Sequence, residues 1–289
     1  MAPFALGYLL IFFIPIFISI YYSFFQNKAS GGGAFGGGEK KNVFVGFENY
    51  VNVITHAGFW QGMGRVVLYT LVQVPIMIGL ALLLALLLDS FLIKRVTVFR
   101  LGYFLPYAIP GIVAAMVWLY LYSPELSPIV KGLAAIGVNV DFLSKNVILA
   151  SMANMTTWTF TGYNMLIFLA ALQSIPTELY EAARLDGATG FQVATRIKIP
   201  MMRGAVLLTV LLSIVGTIQL FNEPQVVSTS QSWIAKDYTP MMMAYNTMME
   251  TMPNFPKGDG PASAIAIVMA LIAGILASLY ALADRKVNK

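Results

Sequence analysis

The sequence predicts an all-α membrane protein with six transmembrane helices and a helix-turn-helix loop between the fourth and fifth. Of its 289 residues, 58% are hydrophobic and only 11% are charged, and the mean hydropathy is +0.75. Soluble domains carry about 25% charged residues, so this composition favours a bilayer. Six apolar segments, with no charged residue or histidine in their interiors, are long enough to cross about 30 Å of hydrocarbon as helices. They are predicted at residues 4–25, 66–88, 101–122, 146–172, 205–222 and 261–283, within one transmembrane domain over residues 1–289.

The first apolar segment begins almost at Met1 and lacks the basic start and the small-residue cleavage site of a signal peptide. It is therefore predicted to be a retained helix. The first three segments contain or adjoin four prolines, Pro15, Pro75, Pro106 and Pro110. Each proline removes a backbone donor and kinks its helix, which a bundle tolerates where neighbouring groups satisfy the freed carbonyl. The three segments are predicted to continue through these kinks.

The first long loop, residues 26–64, contains a glycine-rich stretch at 30–38. No structure is assigned to that stretch, because glycine at such density is flexible. Aromatic residues before the second helix are typical of an interfacial belt. The single histidine, His56, is expected to be an exposed surface residue, because the sequence offers it no partner ligands for a metal.

The loop at residues 223–260 is rich in methionine, which permits two interpretations. Thioether sulfurs suit Cu(I), but no cysteine or histidine joins these methionines. An apolar outer helix that packs against a partner is therefore the favoured interpretation. No metal site is predicted in the chain, which contains no cysteine.

Loop charge predicts that both termini face the cytoplasm. In that orientation the three inner loops, residues 89–100, 173–204 and 284–289, contain ten Lys and Arg residues and five acids. The much longer outer loops then hold eight basic and eight acidic residues. An excess of Lys and Arg in short loops marks the cytoplasmic side. Topology thus accounts for the net charge of +5, and no nucleic-acid partner is predicted.

Several signals of active chemistry are missing from the sequence. Ion-coupled transporters carry ionisable residues within the membrane, and none lies inside a predicted helix here. The phosphate-binding pattern G-x-x-x-x-G-K-[ST] does not occur, and no catalytic constellation shares one element. The chain is therefore predicted to be a passive pathway or a scaffold, and energy for uphill transport would come from another polypeptide.

The loop at residues 174–200 is the most informative segment. A short helix is predicted over 174–185, with Pro176 in its first turn. Asp186-Gly187 then ends this helix, because glycine readily adopts the positive φ that a turn requires. A second short helix is predicted over 189–198. The loop is thus expected to form a helix-turn-helix on the cytoplasmic face.

This loop permits two interpretations. Ala182, Ala183 and Ala188 make it narrow enough for the groove of another protein, with Glu181 and Asp186 at the rim. The alternative is an amphipathic helix resting on lipid headgroups. Lipid-binding helices favour large apolar residues opposite Lys and Arg, whereas this segment offers alanines and acids. Docking on a protein is therefore favoured.

Residues 181–188 and 197–200, EAARLDGA and IKIP, resemble the cytoplasmic signature of permease subunits of binding-protein-dependent ABC importers. The resemblance extends over nearly the whole chain and is to sugar permeases of the maltose and lactose type. It is also carried by FVGFENY at 44–50, FLP at 104–106, LFNEP at 220–224 and GPASA at 260–264. The FVGFENY and LFNEP motifs favour the first of the two permeases in such systems.

The resemblance implies the fold of a type I ABC importer permease in a bacterial or archaeal cytoplasmic membrane. It implies as partners a second permease, two copies of a cytoplasmic ATPase, an extracytoplasmic solute-binding protein, membrane lipid and a sugar. ATP and Mg²⁺ would bind the ATPase, so the chain is expected to be no enzyme and to need no cofactor of its own. The residues expected to couple it to the ATPase are Glu178, Glu181, Ala182, Ala183, Asp186, Gly187 and Ala188.

A sugar site requires stacking aromatic rings and amide or hydroxyl groups without charge. The candidate side chains on the substrate path are Trp158, Tyr163, Asn164, Thr217, Gln219 and Asn222. The resemblance to maltose-type permeases favours the positions near Tyr163 and from Gln219 to Asn222. The alternative for each residue is ordinary hydrogen bonding between helices, which is common for Asn, Gln and Thr in bundles.

Two other functions stay open. A permease for glycerol 3-phosphate or a polyol would use the same machine, although no intramembrane Arg or Lys is present to meet a phosphate. A membrane scaffold that transports nothing is the alternative from a different class.

Overall fold

The structure is a computed structural model that describes residues 2–30, 39–90 and 95–287. Within these ranges nearly all secondary structure is helical, and one two-stranded antiparallel sheet accompanies the helices. The predicted all-α class is therefore confirmed. Apart from Ser30, the glycine-rich stretch at 30–38 lies outside the described residues.

The α-helices are α1 (Ala2–Tyr8), α2 (Ile14–Tyr22), α3 (Glu48–Thr55), α4 (Ala57–Leu88), α5 (Val96–Phe104), α6 (Gly111–Tyr122), α7 (Pro128–Ala135), α8 (Ile148–Gln173), α9 (Thr177–Leu185), α10 (Gly190–Val193), α11 (Ile199–Met201), α12 (Arg203–Ile218), α13 (Asn222–Val227), α14 (Pro240–Met248) and α15 (Asp259–Val287). Two π-helical turns lie at Leu9–Phe13 and Ala194–Lys198, and a 3₁₀ turn lies at Leu105–Ala108. The strands are β1 (Phe25–Ser30) and β2 (Glu39–Phe44).

The chain divides into two compact units, each of which combines separate stretches of sequence. The first unit takes the described residues of 1–66, 218–224 and 232–282. The second takes the described residues of 67–217, 225–231 and 283–289. The single transmembrane domain over residues 1–289 stays a prediction.

Three described helical runs are long and apolar enough to cross a membrane: Ala57–Leu88, Arg203–Val227 and Asp259–Leu282. The predicted first span corresponds to α1, a π-helical turn and α2, whose apolar part, Leu6–Tyr22, is shorter than a full span. Helix α8 has 26 residues, enough to span, but its Asn and Thr residues lower its hydropathy below that of the three runs. The count of six spans is therefore not confirmed by helix length and hydropathy alone.

The third predicted span, residues 101–122, is wrong as a single helix. The chain bends by 97° between the run Val96–Ala108 and helix α6. Ile109 is extended there, at φ −82° and ψ 131°, and Pro110 follows it. A residue before proline is driven out of the α region, and proline has no N–H to donate, so the two helical parts separate at this point.

The core of the second unit forms where α4 and α8 pack together. Ala81 and Ala85 on α4 are fully buried in the same apolar cluster as Phe168 and Leu169 on α8. The small alanine side chains let the large residues of α8 approach the α4 backbone, so the two helices interdigitate closely.

A glycine sets a second close helix contact in this unit. A Cβ atom at Gly162 of α8 would strike the backbone carbonyl of Tyr103 in α5. Because the obstacle is backbone, it moves less readily than a side chain would. Glycine is therefore required at this crossing for steric reasons.

We expect Gly162→Ala to destabilise the purified protein by about 1–3 kcal/mol, the usual effect of overpacking. The matched control is Gly79→Ala in α4, because a Cβ atom at Gly79 meets nothing within 4 Å. Thermal unfolding in detergent measures both variants. A lower midpoint for Gly162→Ala alone is expected, and equal midpoints for the two variants would contradict the packing argument.

The β-hairpin of the first unit was not predicted from the sequence. Strands β1 and β2 pair antiparallel, with Phe25 opposite Phe44 and Ser30 opposite Glu39. Fully buried Asn49 of α3 fixes the hairpin, donating to the carbonyls of Ser23 at 2.7 Å and Phe25 at 2.9 Å. The Asn-Tyr pair that ends the FVGFENY motif therefore has a structural role, since the hydroxyl groups of Tyr50 and Ser23 also lie 2.6 Å apart.

The outer loops of the first unit contradict one expectation, that His56 is exposed, and show part of the packing of the methionine-rich segment. His56 is half-buried, with its ring edge against Phe255 at a centroid distance of 5.2 Å. The methionine-rich helix α14 packs into its own unit, where Met242 and Met243 are buried. The sequence pattern correctly indicated an apolar helix, but the surface that covers these side chains lies within the same chain.

Candidate functional site

Helix α9 is the central element of the loop at residues 174–200, called the coupling loop from here on after the role predicted for it. Pro176 is the N-cap rather than a first-turn residue, and the helix begins at Thr177. Glu178 lies in the first turn and Arg184 in the last, which complements the helix dipole at both ends. Ile175, just before the helix, is buried in the core of the second unit and holds its start in place.

The end of α9 is a Schellman motif. Gly187 has φ +78°, and its N–H donates to the Arg184 carbonyl at 3.0 Å. The N–H of Ala188 donates to the Ala183 carbonyl at 2.9 Å. These two bonds satisfy carbonyls that a helix end otherwise leaves unpaired. The left-handed backbone conformation at position 187 favours glycine.

The second helix begins two residues later with a capping box. The Thr189 hydroxyl accepts from the Gln192 N–H at 3.3 Å, and the Gln192 side chain accepts from the Thr189 N–H at 2.7 Å. Two otherwise unpaired donors are satisfied reciprocally. The predicted helix-turn-helix is therefore present, and backbone chemistry within the coupling loop itself determines its shape.

The residues predicted to couple this loop to a partner lie on its surface. Glu178, Glu181, Ala182, Asp186 and Gly187 are exposed, while Ala183 and Ala188 are half-buried. Among the described residues, the Glu181 and Asp186 carboxylates have no hydrogen-bond or ion-pair partner. Both acids are therefore free to accept hydrogen bonds from another molecule.

Two large apolar side chains on the same loop were missed in the sequence. Leu185 is 89% exposed and Phe191 is 78% exposed, one on each side of the glycine turn. Together they give the loop an apolar surface beside its acids Glu181 and Asp186. The available signal was their position, since large apolar residues flank an Asp-Gly turn that can have no core of its own.

The inner side of α9 is anchored through Tyr180. Its ring packs against the core of the second unit, and its buried hydroxyl finds no hydrogen-bond partner in the part of the chain that the structure describes. Burial, together with the nearby Asp89 carboxylate, raises the pKa of Tyr180 above its ordinary value. Tyr180 therefore stays neutral at physiological pH, and its ring packs against the core as an apolar side chain would.

The aromatic candidates on the substrate path contact other rings of the second unit. Tyr163 stacks on Tyr107 at a centroid distance of 4.5 Å and an interplanar angle of 17°. Trp158 meets Trp118 edge to face at 5.8 Å. Tyr107 and Trp118 were missed in the sequence because they lie on the two sides of the break between α5 and α6, where only kinks within one continuous helix were predicted.

The polar candidates of the second unit contact neighbouring helices. Asn164 is buried, and its amide nitrogen lies 3.4 Å from the Met77 sulfur on α4. Buried Thr217 lies with its hydroxyl 2.8 Å from that of Thr70 on the same α4 helix. Both contacts are of the interhelical kind that the alternative interpretation describes.

The last two candidates, Gln219 and Asn222, belong to the first unit. Gln219 is exposed in the break after α12, and Asn222 is half-buried at the start of α13. The predicted fifth span, residues 205–222, thus ends as regular helix at Ile218. Within the second unit, Tyr163 and Asn164 contact different neighbours, so the structure does not place them on one common surface.

Metal chemistry receives no support from the described part of the chain. In residues 2–30, 39–90 and 95–287, no group of three His, Cys, Asp or Glu side chains comes close enough to hold a metal ion. The long apolar helices of the described residues define the class of a multi-pass membrane protein.

Comparison with known families agrees with this class. Residues 54–289 match the family described as binding-protein-dependent transport system inner membrane component. The chain belongs to this family, and the resemblance stated from its motifs is confirmed.

Curated relatives include permeases for sugars and for sn-glycerol 3-phosphate. The lactose transport system permease protein LacF of Rhizobium radiobacter is 32% identical over 255 residues, which is 84% of this chain and 82% of that protein. The sn-glycerol-3-phosphate transport system permease protein UgpA of Rhizobium meliloti is 27% identical over 249 residues, 86% of this chain and 83% of that protein.

A solved structure shares the fold. A chain of the bacterial alginate ABC transporter, in complex with an alginate pentasaccharide-bound periplasmic protein, superposes with a TM-score of 0.77. The match covers all of this chain and 93% of the other, at 20% sequence identity. This similarity confirms the fold of an ABC importer permease.

Proposed function

We propose that this chain is one of two permease subunits of an ATP-driven importer for a di- or oligosaccharide. The observation that carries the proposal is the coupling loop, a rigidly capped helix-turn-helix that exposes Leu185, Phe191 and two unpartnered carboxylates. ATP and Mg²⁺ would bind a separate ATPase subunit, and this chain would need no cofactor. A periplasmic or otherwise extracytoplasmic binding protein would deliver the sugar.

The coupling loop is proposed to dock into a groove of the ATPase. Leu185 and Phe191 would fill apolar pockets there, and burying such a side chain contributes about 1.5–3 kcal/mol. Glu181 and Asp186 would accept charge-assisted hydrogen bonds at the rim. The Schellman turn keeps these groups in one geometry, so little ordering entropy is lost on docking.

The same proposal places the coupling loop and both termini in the cytoplasm of a bacterial or archaeal cell. The charge of the short loops supports this orientation, because they concentrate Lys and Arg. In the described residues the coupling loop joins two helices, α8 and α12, that would carry its movement into the membrane.

A neutral cargo is favoured over a sugar phosphate by the contacts of Arg65, which lies within α4. Its guanidinium donates to the backbone carbonyl of Tyr238 at 3.0 Å. The same guanidinium lies 4.6 Å from the centre of the Tyr238 ring. This arginine is engaged in holding a loop of the first unit. The relatedness to UgpA keeps glycerol 3-phosphate as the second candidate.

The stacked pair Tyr107–Tyr163 is proposed to form an aromatic surface for sugar passage. Sugar rings present C–H faces that pack on aromatic rings, and stacked pairs contribute about 0.5–1.5 kcal/mol. We expect Tyr163→Ala to raise the sugar concentration for half-maximal uptake about 2- to 10-fold at unchanged subunit assembly. Tyr163→Phe, which keeps the ring, is the control and should stay near wild type; unchanged uptake by Tyr163→Ala would contradict this role.

The function as a whole is tested by co-expressing the chain with its neighbouring gene products and purifying the complex in detergent. ATPase activity is then measured with binding proteins that are empty, sugar-loaded or loaded with glycerol 3-phosphate. Stimulation by a sugar-loaded protein is expected and would identify the cargo. Stimulation only by glycerol 3-phosphate would replace the sugar, and absence of any ATPase subunit would favour the scaffold.

A further inference from the structure

A partly buried ion pair connects the coupling loop to the end of α4. The Lys198 ammonium lies 2.5 Å from an oxygen of the Asp89 carboxylate, and the two residues are 109 positions apart in sequence. Their side chains are only 14% and 18% exposed. Asp89 directly follows the last residue of α4, and Lys198 ends the π-helical turn of the coupling loop.

The position of Asp89 is electrostatically unfavourable without this partner. The carboxyl end of a helix carries partial negative charge, which favours a cation and disfavours an acid. The Asp89 N–H still donates to the Ala85 carbonyl at 2.9 Å, so the acid continues the last turn of α4. The Lys198 ammonium therefore neutralises both the carboxylate and the helix end.

The exposed helix α9 joins the same cluster through Tyr180. The Lys198 ammonium lies 5.1 Å from the centre of the Tyr180 ring, within cation–π range. Three elements thus meet at one lysine: the end of α4, the inner side of α9 and the π-helical turn. Insertions of π-helix into α-helical segments are frequent at functional sites, because they re-aim side chains.

Apolar packing holds the ion pair in position. A single apolar cluster buries one residue at or near each of the three elements: Leu88, Ile175 and Met202. Tyr180 packs against this cluster. Side chains in such a cluster cannot move independently, because interiors are close-packed. Removal of one charge would leave the other without its partner in a low-dielectric setting.

We propose that Asp89 and Lys198 are positioning residues that clamp the coupling loop to α4, so that movement of α9 reaches this helix. The inference rests on the proposed function, because it assumes that α9 docks on an ATPase. Neither residue is expected to touch the ATPase or the sugar. The ion pair is expected to affect only the amount of sugar transported per ATP hydrolysed.

The test compares Asp89→Asn and Lys198→Met with wild type in proteoliposomes that contain the full complex. Two quantities are measured: ATPase activity stimulated by the loaded binding protein, and sugar taken up per ATP hydrolysed. We expect both variants to retain the ATPase subunit and its activity within about 3-fold, while sugar per ATP falls about 10-fold, because one charge of a partly buried pair loses its partner.

Two rescue variants and a matched control complete the experiment. Lys198→Arg keeps the charge, and the exchange D89K/K198D keeps a pair with reversed sense, so both should restore at least half of the wild-type ratio. Lys28→Met is the control, because its ion pair with Glu48 is 48% exposed and lies outside the coupling loop. Exposed pairs contribute little, so this variant should match wild type.

The outcomes separate the two proposals. If wild type binds no ATPase, the proposed function fails. If wild type transports and both single variants keep its sugar-to-ATP ratio, the clamp is overturned while the function stands. Should the single variants fail to insert, the exchange variant decides: coupled uptake supports the clamp, whereas uncoupled uptake or failed insertion overturns it.

Discussion

Replacing Gly187 with valine is expected to reduce uptake by at least about 5- to 30-fold while the permease stays in the membrane. Gly187 has φ +78°, a conformation that costs an L-residue about 1–2 kcal/mol, and β-branching adds to that cost. The substitution would open the Schellman turn and release the bonds that Gly187 and Ala188 donate to α9. The exposed groups of the coupling loop would then lose their common geometry.

Uptake and the amount of membrane-inserted permease are measured together for Gly187→Val. The control is Gly187→Asn, because asparagine is the residue that most often replaces glycine at a left-handed helix end. A Cβ atom at Gly187 meets nothing within 4 Å, so any effect arises from backbone conformation and not from a clash. Normal uptake by the valine variant would contradict the proposed role of the turn.

Leu185→Asp is expected to weaken binding of the ATPase subunit by about 10- to 100-fold, the equivalent of about 1.5–3 kcal/mol for one buried leucine. The leucine is 89% exposed in the isolated chain, so the substitution removes no contact of its own fold. An acid at the last residue of α9 is disfavoured by the helix dipole, so the stability of the permease should fall by no more than about 0.3–1 kcal/mol. Co-purification of the ATPase at graded concentrations gives the change in affinity.

A matched control for Leu185→Asp is Ile136→Asp, since Ile136 is 74% exposed at the end of α7, outside the coupling loop. The isoleucine variant should bind the ATPase as wild type does. If both variants bind equally well, the apolar contact proposed for the coupling loop does not exist. If both lose binding, the effect is a general consequence of surface charge.

Elements whose signals are local were predicted well. The coupling loop follows from Pro176, the Asp186-Gly187 turn and the residues around them, because helix caps involve groups within a few positions of one another. The exposed acids and alanines of α9 were likewise predicted from their pattern. Propensity and capping act before tertiary contacts form, so a single sequence carries them.

Elements that depend on packing were missed or wrong. Hydropathy over residues 101–122 measures apolar length and contains no information on direction, so kinks were expected at Pro106 and Pro110 but not the 97° break at Ile109. The stacking of Tyr163 on Tyr107, which lies just before the break, was not predicted for the same reason. The methionines of α14 were correctly assigned to an apolar helix, but the surface that buries them comes from distant parts of the chain.

By itself, the sequence determined the membrane class, the family and the local shape of the coupling loop, because composition, motifs and caps are properties of short stretches of chain. Only the tertiary structure decided which side chains of that loop are exposed and which are buried against the core. Leu185 and Tyr180 lie on the same short helix, yet one is 89% exposed and the other packs into the core. Lys198 and Asp89 meet across 109 positions because α4 and the coupling loop share one buried apolar cluster.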